Sequence, residues 1–107
     1  MQEQVYILYL NLDNRVIGWW CLNTGTTNET LFDIKMAVAC GLNCLASKAV
    51  IAHNHPSGIL KPSQSDIFIS NKLFRAFNLI DIQLIDHLII SDEGTYFSFA
   101  DNRIKFE

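Results

Sequence analysis

Two histidines and a carboxylate lie in one short stretch, Ala52 to Asp66 (AHNHPSGILKPSQSD), and are the residues of this 107-residue chain best suited to chemistry. His53 and His55 are two apart, so on an extended strand both imidazoles leave the same face. Neutral imidazole nitrogens and a carboxylate oxygen are the donors of three-ligand zinc sites that keep a fourth position open. Asp66 falls in the first turn of the next expected helix, across a loop marked by Pro56, Gly58 and Pro62. A strand end and a helix start that converge can therefore carry His53, His55 and Asp66 as zinc ligands. The plainer reading is two histidines and an aspartate in a polar turn. Ser63, three residues before Asp66, is spaced for a capping box, which by itself accounts for both residues.

The elements that must position these residues follow from hydrophobic patterning. Gln4 to Leu12 is apolar on both alternations and predicts a central strand covered on both sides; after a turn over Leu12 to Arg15, Val16 to Leu22 predicts its hairpin partner. Trp19 and Trp20 must face opposite sides of that second strand, one toward the core and the other at an edge or interface. Asn23 to Glu29 is a polar loop. A helix is expected from Thr30 to about Ala46, capped by Asn28 or Thr30, with Asp33 in its first turn and a buried stripe of Leu31, Ile34, Val38, Leu42 and Leu45. Gly41 within it lets the helix lie close to the strand leading to His53, and Lys35 reads as a surface or loop-anchoring residue.

Lys48 to Ala52 is a buried strand; Ser63 or Gln64 to Phe77 is a helix with Ile67, Ser70, Phe74 and Phe77 inward and Leu73 beside them. Ile82 to Ser91 is a strand with Leu84, Leu88 and Ile90 on one face and Ile85 and Ile89 on the other. Asp86 and His87 interrupt its apolar run, which is costly unless each has a partner, and they read as structural or as support behind a metal site rather than as a fourth ligand. Thr95 to Ala100 is a last strand. The order ββαβαββ, with parallel crossovers around both helices, predicts a three-layer α/β domain with a mixed sheet over residues 1–107.

Composition narrows the classes. Hydrophobic residues make up 50% and charged ones 18%, which suits an ordered globular domain. Eight basic and 11 acidic residues give a net charge of −3, and no Lys/Arg run is present, so duplex DNA binding is expected to be weak and non-specific. Cys21, Cys40 and Cys44 are odd in number, and the last two share one helix face like small core residues. Disulfides are disfavoured and a reducing, cytoplasmic compartment fits better. Neither a leader pattern nor a run of eighteen apolar residues is present, so secretion and membrane spanning are not expected.

The stretch His53-Asn54-His55, seven residues from Pro56 to Pro62, Ser63, two residues and Asp66 resembles the metal motif of the JAMM (MPN+) zinc metallopeptidases, an upstream glutamate followed by His-x-His, seven residues, Ser, two residues, Asp. His53-Asn54-His55-Pro56-Ser57-Gly58 together with Asp86-His87-Leu88-Ile89 is similar to the RadC subgroup in particular, and the likeness runs from Glu3 to about Phe99. The resemblance implies a JAB/MPN-like (cytidine-deaminase-like) fold, zinc held by His53, His55 and Asp66, Glu3 as general base, and Ser63 as a donor to the oxyanion. A tight cap and an oxyanion donor are competing tasks for Ser63, so a compromise is expected. RadC proteins usually carry a helix-hairpin-helix region ahead of this domain. None is present in these residues, so the chain reads as a stand-alone member or as the catalytic portion of a longer protein.

The expected function is zinc-dependent hydrolysis of an amide bond in a peptide, an isopeptide or a small conjugate. The alternatives are a non-catalytic binding domain and a DNA-repair-associated protein acting through protein or nucleic-acid partners. A zinc deaminase would require a Pro-Cys-x-x-Cys motif after its His-x-Glu, whereas Cys40 and Cys44 precede the histidines. Oligomeric state is not legible.

Overall fold

A computed structural model of the chain describes residues 4–24 and 34–107, with the backbone alone described for residues 22–24. Glu3, most of the polar loop, and the expected helix start with Asn28, Thr30, Leu31 and Asp33 lie outside the described residues. The elements run β1 (Gln4–Leu10), β2 (Val16–Thr24), α1 (Ile34–Asn43), β3 (Lys48–Asn54), α2 (Gln64–Asn78), β4 (Gln83–Ile90) and β5 (Tyr96–Ser98). The strands form one sheet in the order β2-β1-β3-β4-β5. β3 and β4 are parallel, and the pairs β1/β2, β1/β3 and β4/β5 are antiparallel. The fold is of the expected three-layer α/β class, a central mixed sheet flanked by helices.

The hairpin turn is built by Asn11, whose side-chain oxygen accepts the N–H groups of Asp13 and Arg15 at 2.9 and 3.0 Å. Asn14 supplies the left-handed residue, φ 63°. On one face of β1, Ile7 and Tyr9 are fully buried. Both helices meet Tyr9 there: its hydroxyl donates to the Ala37 carbonyl of α1, 2.5 Å, and its ring meets Phe77 of α2 edge-on. On the other alternation Tyr6 and Leu8 are half-buried and Leu10 is buried, so β1 is covered on both sides but less deeply on this one. Trp20 packs against the core, while Trp19 on the edge strand is 63% exposed and tilts against Tyr6.

Helix α1 buries Ala37 and Gly41, with Ile34, Val38 and Cys40 packed beside them. The expected stripe is wrong at Leu42 and Leu45, both exposed. Small residues win the inner face because the helix lies close over Tyr9, and the chain leaves the helix before Leu45, which takes φ 54°. A Cβ on Gly41 would stand 2.8 Å from Ile82 Cδ1 and 3.1 Å from Tyr9 Cε1, so the close approach is to β1 and Ile82 rather than to β3. Gly41→Ala should therefore cost stability, despite a gain of ~1 kcal/mol in helix propensity, because overpacking costs about 1–3 kcal/mol. Urea denaturation of the two proteins gives the sign.

Helix α2 begins at a formed capping box and buries Ser70, Leu73 and Phe77. Phe74 packs on the flank against Phe106, and Ile67 is 37% exposed, so the inner face is rotated from the expected one.

One irregularity decides which way β4 faces. The β3/β4 pairing shifts between Ala49 and Val50, so Ala49 is opposite Leu84 but Val50 is opposite Asp86. Ile85 is the extra residue, and past it the alternation changes face. Leu84, His87 and Ile89 are consequently buried, while Leu88 is half-buried and Ile90 exposed, against the simple alternation expected from sequence.

Candidate metal centre

Strand β3 ends at Asn54, with His53 opposite Val5 of β1 and Ile89 of β4. His53 is therefore in the sheet centre and only 3% exposed. Asn54 helps to close that end, since its side-chain oxygen accepts the Gln4 N–H at 2.6 Å. The His55 N–H donates to the Ile90 carbonyl at 3.3 Å, which keeps the chain beside β4 for one more residue before it turns. In that turn the Gly58 N–H donates to the His55 carbonyl at 2.9 Å, and Gly58 takes φ 80°, a conformation suited to glycine.

The loop returns to Ser63, the N-cap of α2. The Asp66 N–H donates to Ser63 Oγ at 3.0 Å, and the Ser63 N–H donates to Asp66 Oδ2 at 2.8 Å. The cap thus fixes the carboxylate that the metal reading needs. By accepting, the Ser63 hydroxyl retains its own proton for donation.

Three donors converge at this junction. His53 Nε2 lies 2.9 Å from His55 Nε2 and 3.2 Å from Asp66 Oδ1, and His55 Nε2 lies 3.2 Å from Asp66 Oδ2. Zinc bonds of ~2.0–2.1 Å in a tetrahedron set ligand atoms about 3.3 Å apart. The donor set and its spacing fit a divalent cation: His53, His55 and Asp66 could coordinate one.

The ring orientations also fit. His55 Nδ1 is 2.7 Å from the Ile59 carbonyl, which can only accept, so this nitrogen carries the proton and Nε2 is the free donor. Burial by itself would raise the Asp66 pKa, but bonds and charge from His53, with the Ser63 bonds behind them, outweigh it and hold the carboxyl well below the usual range.

His87 closes the inner wall. Its Nε2 is 2.7 Å from His53 Nδ1, its Nδ1 hydrogen-bonds Ser70 Oγ, and Phe99 stacks on its ring. Burial, followed by the nearby His53, lowers its pKa to about 3. The folded state therefore refuses a proton that the unfolded chain accepts below about pH 6.5. From that pH down to about 3 the metal-free protein should lose stability, with a slope of up to ~1.4 kcal/mol per pH unit. Urea midpoints measured between pH 7 and 4 test this, and a flat profile contradicts it.

Asp86 has a different task from its neighbour. Its Oδ1 accepts the N–H groups of His87 and Ala100 at 2.7 and 3.0 Å, and its Oδ2 accepts the Ser98 hydroxyl at 2.6 Å. It ties β4 to β5 and the turn after it, on the face away from the cluster. Sequence reasoning placed Ser70 on the inner helix face without a role; a lone hydroxyl on an apolar stripe was the available signal.

A mixed α/β sheet whose His-x-His strand end faces an aspartate at a helix start defines a JAB-type domain with a candidate metal cluster. The chain belongs to the RadC-like JAB domain family, whose profile matches residues 1–104. It is 41% identical over 100 residues to a UPF0758 protein of Porphyromonas gingivalis, covering 94% of this chain and 44% of that one. It is 42% identical over 102 residues to a UPF0758 protein of Pseudoalteromonas translucida, with 94% and 45% covered. UPF0758 protein YeeS of Escherichia coli is 40% identical over 101 residues, with 94% and 68% covered. The chain thus spans less than half the length of the first two relatives and about two thirds of YeeS. Among the described residues no helix is long and apolar enough to cross a membrane.

Proposed function

We propose that residues 1–107 act as one RadC-like JAB unit that binds zinc and hydrolyses an amide bond. The convergence of His53 Nε2, His55 Nε2 and an Asp66 oxygen carries this reading. When bound, the ion acidifies a water and polarises the amide carbonyl. His53, His55 and Asp66 hold it, with each ring's other nitrogen already engaged. Ser63 keeps its Oγ–H at the cluster's edge, and donating it to the developing oxyanion contributes on the order of 3 kcal/mol in comparable hydrolases. Glu3 takes the water's proton and delivers it to the leaving nitrogen. Asp86 and His87 support the site without touching substrate.

The substrate class is a peptide, an isopeptide or a small amide conjugate. The charge of −3 leaves duplex DNA as a weak, non-specific partner. Three free cysteines fit a cytoplasmic protein. Elemental analysis of zinc-loaded protein, followed by a screen of peptide, isopeptide and DNA substrates, tests the reading. Stoichiometric zinc with amide cleavage supports it; zinc without turnover returns the chain to a binding domain, and no zinc removes the proposal.

A further inference from the structure

The two histidines of the cluster are backed unequally. Behind His55 stands the Ile59 carbonyl, a group that can only accept, so the fold alone fixes that ring's tautomer. Behind His53 stands another imidazole, His87, and behind that the Ser70 hydroxyl, both buried. Each ring can present N–H or lone pair at either nitrogen, and a hydroxyl can donate or accept. The chain Ser70–His87–His53 is therefore satisfied in two opposite directions. In one, Ser70 Oγ–H donates to His87 Nδ1, His87 Nε2–H donates to His53 Nδ1, and the His53 proton sits on Nε2, facing Asp66. In the other, His53 Nδ1–H donates to His87 Nε2, and His87 Nδ1–H donates to Ser70 Oγ. Each imidazole carries one proton in both. Only the second leaves the His53 Nε2 lone pair for a cation.

We propose that His87 and Ser70 are a positioning pair which, when a cation occupies Nε2 of His53, accepts in sequence from its Nδ1–H and so supports the ligating tautomer. This rests on the metal reading above and goes beyond it by assigning the support of that tautomer to two buried residues outside the ligand set. Geometry supports it. His87 is only 2% exposed and wedged between His53 and the stacked Phe99 ring, so its ring has no room to swing away. Ser70 is fully buried on α2, one turn past Asp66 at the start of that helix. Partners of this kind typically contribute ~10–100-fold in metal affinity.

The test compares His87→Leu with His87→Gln by zinc competition against a chelating dye, with thermal melts of the metal-free proteins. Leucine removes the acceptor, whereas a glutamine oxygen can accept from His53 Nδ1 while its NH2 donates to Ser70. The expected result is a ~10–100-fold loss of zinc affinity in His87→Leu and recovery to within a few-fold in His87→Gln, with the metal-free melts showing that both variants are folded at the assay temperature. In the zinc-loaded wild-type protein, long-range ¹H–¹⁵N spectra should show both His53 and His87 protonated at Nδ1, a readout that needs no variant to fold. A His87 protonated at Nε2 in that spectrum overturns the proposal, as does wild-type affinity in His87→Leu or a glutamine variant no better than leucine. Wild-type protein that takes up no zinc instead removes the metal reading and this inference together.

Discussion

His55→Ala and His53→Ala should both weaken zinc binding roughly a hundredfold, but only His53→Ala should also weaken the fold. Structural zinc sites bind with ~10–16 kcal/mol shared over four ligands, so one imidazole is worth about 3 kcal/mol. At 1.4 kcal/mol per decade that is roughly a hundredfold in affinity. The two rings differ in what else they hold. His55 lies in the loop, partly exposed, and its other nitrogen meets one backbone carbonyl. His53 is in the sheet centre, and its removal leaves a cavity and strips buried His87 of a partner. Truncations of that kind cost about 2–5 kcal/mol. Zinc affinity and urea denaturation of the metal-free variants separate the two effects. Wild-type zinc affinity in His55→Ala, measured by chelator competition, would place the ion elsewhere.

Glu3→Gln should leave zinc affinity within a few-fold of wild type and lower turnover by at least ~100-fold, the usual contribution of a general base. Glu3 enters from the resemblance alone, and its bland reading is an acidic residue ahead of a strand. What the structure adds concerns its neighbours in sequence. Gln4 opens β1 with its N–H bonded to Asn54, and Val5 pairs opposite His53. The backbone just after Glu3 is thus anchored at the end of β3 that carries the cluster. Glutamine keeps size and polarity but cannot take a proton, so an unchanged rate on a genuine substrate would remove Glu3 from the mechanism.

Most of the cluster was legible because its spacing is local. His53 and His55 are two apart, Ser63 and Asp66 three, and these separations map directly onto a strand end and an N-cap. The element order was legible for the same reason, since each strand and helix carries its own period. Faces were less so. Leu42 and Leu45 look like core residues by type, yet Ala37 and Gly41 take the inner face because Tyr9 leaves no room for larger side chains. In β4 the extra residue at Ile85 depends on pairing with β3, so alternation within the strand could not reveal that Leu84 and His87 share a face. The partner of His87 lies 34 residues away, and nothing in the local sequence names it.

His53, His55 and Asp66, with Ser70 and His87 behind them, all belong to a single crossover between parallel strands, β3-α2-β4. His53 and His55 come from its first strand end, Asp66 and Ser70 from its helix, and His87 from its second strand. The cation would therefore join the end of β3 to the start of α2 directly and reach β4 only through the His53–His87 hydrogen bond, while β2 at the far edge gains nothing directly. Ligand binding stabilises the states that contain its site by mass action. Zinc should accordingly act as a local staple, slowing amide hydrogen exchange in β3, α2 and β4 more than in β2.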